Sequence, residues 1–332
     1  IMRLFQLMLF GFLMIRCSSK GTPCPTFSEN GYKDGLDQPS GALFVTFGEL
    51  HGKRPWLLRP IFSIHEIVYG VVKTHNGEPL RKLHRALEHS GYVVYDYVLQ
   101  ALDYGALASR LRIYIIGIRR DVFEILGPLP TPPTTPRDPI PQAARNALAD
   151  ESEDGERHDA SRFSPVIREE PTSDVYPKLI FVTADGDQNG NVYSIDHPAP
   201  CLRALDSPGI EPFGIYWREA TDRRPAYFFS PSIQQALKLQ SLPTSTPNTG
   251  KRSIGNSFNG RLSAVIGTEV KAYLARWYSF LENGHSDNTR MQCLTTEAQA
   301  LFSDGHGIDV PRVPRCLPTC FADFAWWLVD SG

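Results

Sequence analysis

Seven prolines lie between residues 128 and 141, and this cluster constrains the fold of the chain more than any other feature. Proline has a fixed φ and no backbone N–H, so it is excluded from helix interiors and central strands. A run of acidic side chains follows, made up of Asp150, Glu151, Glu153, Asp154 and Glu156. We therefore predict a linker or mobile insertion over residues 128–175, with one short helix at residues 142–149.

The part of the chain before the prolines alternates strand and helix patterns. Residues 56–68 are densely apolar, as in a buried strand of a parallel sheet. Leucines recur at helical spacing within residues 78–89, and Gly91 then supplies a stop signal. Residues 92–98 and 110–118 have the composition of two further strands. This order of elements predicts an α/β sheet.

The part after the prolines contains short turn-rich strands, one helix, and a last helix that follows a glycine–asparagine turn. The residues beyond Gly284 carry no readable pattern. We therefore divide the chain into five parts. They are a first domain part at residues 1–127, the linker or insertion at 128–175, a second ordered region at 176–229, a return to the first domain at 230–283 and a tail at 284–332.

Composition limits the environment and partners of the chain. The net charge of the 332 residues is -2, so any nucleic-acid surface must be a local patch. The six cysteines are too sparse for a disulfide scaffold, which favours an intracellular compartment, nuclear or cytoplasmic. Cys316 and Cys320 match the spacing of zinc sites poorly, so we expect plain thiols and no metal.

An apolar run at residues 4–15 leaves two interpretations of the N-terminus open. The run is too short to span a bilayer, so it is either the hydrophobic part of a secretory signal or a buried strand. We favour the strand and expect no membrane association. An unrelated secreted protein stays as an alternative that this run alone supports.

Three positions before the proline cluster are candidates for chemistry. Cys24 stands between two prolines, and a thiol at the C-terminal edge of an α/β sheet is a candidate nucleophile. Taken alone, it would more simply be a free cysteine in a loop. Arg110 and Arg112 are two residues apart on a predicted strand, so their side chains share one face and can converge on a ligand. Without further support, the pair would instead belong to a solvated strand edge.

Several short motifs resemble, in order, those of the cytosine-C5 DNA methyltransferases. The stretch "GTPCPTFS" around Cys24 resembles the Pro-Cys motif, and Glu66 in "HEIV" falls where the family has Glu-Asn-Val. Arg110 and Arg112 fall where it has Arg-x-Arg. Further on, "SPSIQQALKLQSLP" resembles the helix after the target-recognition region, and "IGNSF" resembles the closing Gly-Asn-Ser motif. The resemblance covers residues 22–274.

The resemblance implies a fold and a reaction. The fold would be a Rossmann-like sheet of S-adenosylmethionine-dependent methyltransferases with a smaller target-recognition region. Cys24 would add to C6 of cytosine, and Glu66 would stabilise the adduct near N3 of the ring. Arg110 and Arg112 would favour the thiolate and hold the cytosine carbonyl oxygen.

The same resemblance implies residues that bind the methyl donor and DNA. Pro23, Asn256 and Ser257 would lie on the S-adenosylmethionine side, although Asn256 and Ser257 could instead cap the last helix. The partner would be double-stranded DNA whose target base is extruded from the helix. Phosphates or guanine edges would be contacted by four arginines that could equally be ordinary surface residues: Arg203, Arg218, Arg223 and Arg224.

The chain also departs from the family pattern. The family's glycine-rich cofactor motif does not precede Cys24, so we expect an N-terminally truncated sheet. Pro25, Ile67 and Ala108 stand where the family has Gln, Asn and Gln, and each replaces a polar side chain. We therefore expect weak DNA methylation or none. The alternative is a non-catalytic DNA-binding remnant, or a subunit whose partner supplies the cofactor half.

Overall fold

The structure is a computed structural model whose described residues are 17–21, 27, 35–37, 39–54, 59–132, 143–150, 152, 154–166, 177–183, 191–203, 213–221, 225–245 and 250–283. It divides into two compact units. Unit 1 comprises residues 1–97, 113–131 and 267–331, and unit 2 comprises residues 98–112, 132–266 and 332. Within the described ranges, no helix has both the length and the apolarity needed to cross a membrane.

Some of the predicted features lie outside the described residues. They are the apolar N-terminal run, the prolines from residue 133 onward, the tail beyond Gly284, and the site candidates Pro23, Cys24, Arg223 and Arg224.

A four-stranded sheet has the strand order β1-β2-β4-β3. Its strands are β1 (Cys17–Gly21), β2 (Phe62–Val68), β3 (Tyr92–Gln100) and β4 (Leu111–Arg119), and β1 runs parallel to β2. Two longer helices belong to unit 1, α1 (Pro39–Gly52) and α2 (Glu78–His89), and a shorter helix α3 (Arg120–Leu126) follows β4. The predicted helix at residues 78–89 is confirmed, as is the strand that begins at Tyr92. The α/β class predicted from the sequence is therefore correct.

The core of unit 1 explains why these segments pack as they do. Leu83 and Leu87 of the amphipathic helix α2 are fully buried against Phe44 of α1 and Ile67 of β2. Burying one such side chain contributes about 1.5 to 3 kcal/mol. The core residues of β2 alternate with polar ones that are also buried, so this strand carries both packing and chemistry.

Unit 2 contains a six-stranded sheet in the order β5-β10-β9-β8-β7-β6. Its strands are β5 (Asp154–His158), β6 (Phe163–Pro165), β7 (Leu179–Thr183), β8 (Val192–Ser194), β9 (Ile215–Arg218) and β10 (Tyr227–Pro231). The β8–β9 pair is parallel, whereas the other pairs are antiparallel. An apolar cluster in this unit includes Phe213, Tyr216 and Phe229.

The structure differs from the linker expected over residues 128–175. Helix α4 (Ala143–Ala147) forms where a short helix is predicted, but β5 and β6 then join the six-stranded sheet. The physical reason is Asp154, which is not solvated as acidic composition suggests. Its side chain is 4% exposed and pairs with Arg218 of β9. Composition cannot reveal a partner so distant in the chain.

Three helices complete the described chain. Helix α5 (Ile233–Leu239) begins with a capping box between Ser232 and Gln235, in agreement with the helix predicted near residues 230–242. Helix α6 (Lys251–Asn256) is short, and helix α7 (Gly260–Asn283) is the longest. Leu262, Ile266, Val270 and Leu274 of α7 are buried, as their shared face predicts.

Candidate active site

Glu66 lies near the end of β2, and the preceding chain reaches the same sheet edge. The Glu66 residue is 3% exposed. In the parallel β1–β2 pair, Gly21 is the register partner of Glu66. Cys24 follows Gly21 by three residues, a chain length of at most about 11 Å. Parallel strands end at one edge, where open α/β sheets bind ligands, so the last residue of β1 lies beside the glutamate.

The opposite face of β2 carries a buried polar chain. Alternation along a strand places Ser63 and His65 on one side and Glu66 on the other. The Ser63 hydroxyl lies 3.0 Å from Nε2 of His51 in α1 and 2.8 Å from Nε2 of His65. Burial lowers the pKa of His65 to about 3. Burial, followed by the nearby Arg54 and Arg59, lowers the pKa of His51 to about 4. Both imidazoles are therefore neutral at neutral pH.

Arg110 connects two motifs that are 145 residues apart in the chain. The residue is 2% exposed and immediately precedes β4, and its backbone N–H donates to Oε1 of Gln100 at 2.7 Å. Its Nη1 donates to the carbonyl oxygen of Gly255 at 3.3 Å. Gly255 belongs to the "IGNSF" stretch and neighbours Asn256. Within unit 2, the Arg-x-Arg segment therefore contacts the closing motif. The order of the motifs along the chain does not reveal this contact.

Arg112 contacts Cys201, a residue that no sequence motif indicates. It is 8% exposed; its Nη1 donates to the Leu111 carbonyl oxygen at 2.8 Å, and its Nη2 lies 3.6 Å from Sγ of Cys201. Cys201 is half-buried and forms no disulfide bond within the described residues. The only sequence signal for it is its place in "DHPAPCL", between a proline and a leucine. A cysteine in a turn-rich region gives no indication that it will meet an arginine.

The structure corrects one interpretation of Asn256 and Ser257. The side chain that caps α7 is that of Asn259, whose Oδ1 accepts from the N–H groups of Arg261 at 3.1 Å and Leu262 at 3.2 Å. The N-cap prediction for Asn256 and Ser257 is therefore wrong. Asn256 is exposed at the end of α6, and Ser257 follows as the C-cap residue. The Ser257 hydroxyl donates to the Ile254 carbonyl oxygen at 2.6 Å, so its oxygen keeps acceptor capacity.

Arg218 occupies a buried polar cluster that we call the Asp154 hub, made up of Asp154, Arg218, Tyr227 and Gln235. Nη2 of Arg218 donates to the two carboxylate oxygens of Asp154 at 2.9 and 3.2 Å, and Tyr227 and Gln235 donate to the same carboxylate at 2.6 and 2.9 Å. The Arg218 guanidinium also lies 4.7 Å from the ring centre of Phe229. These contacts engage Arg218 inside unit 2, in place of the DNA contact predicted from the sequence.

The structure thus groups the predicted residues only in part. Glu66 lies beside the end of β1 in unit 1, and Arg110 and Arg112 lie in unit 2 with the closing motif and Cys201. Arg203 is half-buried beside Cys201 in the chain. The convergence of Cys24, Glu66 and the two arginines stays a prediction. In the described part of the chain, no group of three or more His, Cys, Asp or Glu could hold a metal ion.

Known proteins resemble this chain in sequence and in fold. Residues 18–180 match the family model described as C-5 cytosine-specific DNA methylase. Type II methyltransferase M.Sau96I of Staphylococcus aureus is 28% identical over 277 residues, which cover 77% of this chain but only 60% of that protein. Type II methyltransferase M.NgoPII of Neisseria gonorrhoeae is 23% identical, with 77% and 76% covered.

The structural comparison concerns the fold alone. The solved structure of the Entamoeba histolytica methyltransferase EhMeth superposes with a TM-score of 0.50 and 12% identity. The match covers 80% of both chains. The α/β architecture is therefore shared with a methyltransferase.

Proposed function

Because the chain belongs to the C-5 cytosine-specific DNA methylase family, we propose that it transfers a methyl group from S-adenosylmethionine to C5 of cytosine in double-stranded DNA. The observation that carries this proposal is the register of β1 and β2. It pairs Gly21 with the buried Glu66, and Cys24 follows Gly21 by three residues in the sequence, which supports a site that contains both. A nucleophile and an acid that share one base are what this reaction needs.

Cys24 and Glu66 would divide the chemistry between them. The thiolate of Cys24 adds to C6 of the ring, and the electron pair of the C5–C6 double bond moves toward C5. Glu66 hydrogen-bonds at N3 and stabilises the charge that develops in the ring. S-adenosylmethionine supplies the electrophilic methyl group that C5 attacks. Loss of the C5 proton and expulsion of the thiolate then restore the double bond, so Cys24 is regenerated.

The arginines would hold the target base and favour the reactive form of the thiol. A guanidinium near a cysteine lowers the free energy of the thiolate relative to the thiol. Arg110 is buried and bonded to Gly255, which gives its side chain a fixed position. Arg112 is the second residue of β4 and donates to the Leu111 carbonyl oxygen, so its guanidinium is also oriented. Oriented donors suit the cytosine carbonyl oxygen.

Other residues would bind the methyl donor and DNA. The exposed amide of Asn256 and the acceptor oxygen of Ser257 fit the polar groups of S-adenosylmethionine, and Pro23 would lie on the same side. Arg203, Arg223 and Arg224 would contact phosphates or guanine edges of a duplex whose cytosine is flipped out. We leave Arg218 out of this surface because its guanidinium is engaged by the Asp154 hub.

We further propose that methylation by this chain is weak. Ile67, which replaces a polar residue of the family pattern, is fully buried in the apolar cluster of unit 1. Ala108, which replaces another, is 1% exposed. Each buried partner left without a hydrogen bond by such a replacement costs about 1 to 3 kcal/mol. Pro25 also removes an amide side chain next to the nucleophile.

A duplex that carries 5-fluorocytosine tests the proposal directly. Fluorine at C5 prevents the last elimination, so an active site traps the DNA as a covalent adduct that survives denaturation. We expect the adduct with S-adenosylmethionine present, its loss in Cys24→Ser, and its retention in Cys293→Ser, which removes a thiol outside the matched residues.

The same experiment distinguishes the alternative. A non-catalytic DNA-binding remnant, or a subunit that needs a partner, would bind the duplex reversibly and give no adduct. Peptide mapping that placed the adduct on a cysteine other than Cys24 would contradict the assigned nucleophile.

A further inference from the structure

Cys201 stands in direct contact with one of the two arginines of the proposed site. Nη2 of Arg112 lies 3.6 Å from Sγ of Cys201, within the range of an N–H···S hydrogen bond. The thiol in turn donates to the Leu202 carbonyl oxygen, also at 3.6 Å. The sulfur is thus oriented by its own backbone and can accept from the guanidinium. The contact joins residues 89 positions apart in the chain.

The backbone on both sides of this contact is fixed. Ala108 and Ala199 form an isolated parallel bridge. The Ser109 N–H donates to the Ala199 carbonyl oxygen at 2.8 Å, and the Ala199 N–H donates to the Leu107 carbonyl oxygen at 2.9 Å. Pro200 then restricts φ immediately before Cys201. The segment that bears the sulfur is therefore anchored to the segment that leads into Arg112.

An anchored acceptor beside a long side chain changes what that side chain can do. A free arginine samples many rotamers, and each polar contact that holds the guanidinium reduces the entropy lost when it binds a substrate. Leu111 and Cys201 accept from the two different terminal nitrogens of Arg112. Two anchored acceptors define the plane of the guanidinium, and that plane decides which oxygen it can meet.

We propose that Cys201 is a positioning residue for the methyl transfer, whose sulfur orients Arg112 toward the cytosine carbonyl oxygen. This proposal rests on the proposed function, because only that function gives Arg112 a base to hold. It assigns no covalent step to Cys201. Under this proposal Cys201, which lies in the predicted target-recognition region, affects the rate of methyl transfer as well as the recognition of DNA.

The contact itself can be tested without methyl transfer. The measurement is the rate at which iodoacetamide alkylates Cys201 at mildly alkaline pH, followed by mass spectrometry of the peptide that contains it. A neighbouring guanidinium favours the reactive thiolate, so Arg112→Met should slow the alkylation about three- to tenfold. Arg203→Met, which removes the same charge two residues from Cys201 but leaves the Arg112–Cys201 contact in place, is the matched control and should change the rate less than Arg112→Met does.

The alkylation rate distinguishes unfolding of the variant from loss of the Arg112–Cys201 contact. Unfolding caused by Arg112→Met would expose Cys201 and raise its rate, so a fall cannot come from loss of structure. An unchanged rate in Arg112→Met, or an equal fall in Arg203→Met, would overturn the contact.

Kinetics of the full chain then test the role in the reaction. Cys201→Ala should lower kcat about three- to tenfold, the size expected for the loss of one typical hydrogen bond, with the KM for S-adenosylmethionine unchanged. Cys201→Ser keeps an acceptor at the same position and should restore most of kcat. Equal kcat in all three proteins, or a Ser variant as slow as the Ala variant, would overturn the positioning role.

The two proposals fail in different ways. Absence of methyl transfer by the unmodified chain would overturn the proposed function, and with it the role of Cys201 in that reaction. The alkylation rates would still show whether Cys201 and Arg112 are coupled.

Discussion

Unit 1 and unit 2 bury polar side chains in two different ways. In unit 1, the hydroxyl of Ser63 lies between the ring nitrogens of His51 and His65, and all three groups are neutral at neutral pH. In unit 2, the Asp154 hub buries an ion pair, in which the carboxylate accepts from Arg218 and from two neutral donors. The first network lies on the face of β2 opposite Glu66, whereas the second connects the acidic segment in β5 to β9 of the six-stranded sheet.

The two units therefore bury polar groups by different chemistry. Unit 1 keeps its buried groups neutral, whereas unit 2 pairs opposite charges. A neutral chain avoids the desolvation of charge on the face of β2 opposite Glu66. A buried ion pair is costly to form, but the removal of one partner is costlier still, because the other charge stays buried. The two regions should therefore respond differently to protons and to mutation.

The largest effect should follow acidification. The folded-state pKa values of His51 and His65, about 4 and 3, lie below the ordinary value of 6.5. The unfolded chain therefore binds protons below pH 6.5 that the folded chain does not, so stability is unaffected above that pH and falls as the pH drops toward 4. The expected loss in the free energy of unfolding is roughly 6 kcal/mol. Urea unfolding across this pH range measures it.

Replacement of both imidazoles supplies the control for acidification. The double variant His51→Gln/His65→Gln has no group there that titrates, so its stability should depend less on pH between 6.5 and 4. If the stability of the double variant fell equally steeply with pH, groups other than these two histidines would cause the acid sensitivity.

The next largest effect should come from breaking the ion pair of unit 2. Asp154→Ala leaves the Arg218 guanidinium buried without its carboxylate, which should cost about 3 to 5 kcal/mol in urea unfolding. Glu156→Ala, which changes an exposed acidic residue of the same strand, should cost less than about 0.5 kcal/mol. Addition of Arg218→Met to Asp154→Ala should recover part of the loss, since no charge then stays buried. Failure to recover any of it would argue against an electrostatic cause.

Glu66→Gln should separate catalysis from stability on β2. The change keeps the size of the side chain but removes its carboxyl group, so the rate of methyl transfer should fall at least about a hundredfold. The urea midpoint should shift little. A rate within tenfold of that of the unmodified chain would remove Glu66 from the proposed mechanism.

Ser63→Ala should show the reverse pattern on the other face of the strand. It removes the hydroxyl between the two buried imidazoles and should cost about 1 to 3 kcal/mol of stability. The kcat of the folded fraction should stay unchanged. A loss of kcat comparable to that in Glu66→Gln would mean that the polar chain takes part in the reaction. The exposed Ser253→Ala serves as the control for the loss of a hydroxyl.

The smallest effect should come from a neutral donor of the Asp154 hub. Tyr227→Phe removes the hydroxyl that donates to the Asp154 carboxylate at 2.6 Å but leaves the ion pair intact. The expected cost is about 1 to 2 kcal/mol in urea unfolding. A cost as large as that of Asp154→Ala would show that the phenol, and not Arg218, is the main partner of the carboxylate.

Local patterns predicted the elements whose signals lie within one short segment. Helix α2 begins and ends where leucine spacing and Gly91 predict, and β3 begins at Tyr92. The structure differs where a distant partner decides the outcome. The acidic segment forms β5 because Asp154 meets Arg218, and the cap of α7 is Asn259 because its carboxamide reaches the first free N–H groups.

The amino-acid sequence by itself determined the α/β class and the order of the motifs, because periodicity and motif spacing are properties of neighbouring residues. It also set Cys24, Glu66 and the arginines as candidates. The pairing of Gly21 with Glu66, the contact of Arg110 with Gly255 and the contact of Arg112 with Cys201 become visible in the folded chain alone. Those contacts depend on strand register and chain reversal, which bring together residues that no local pattern connects.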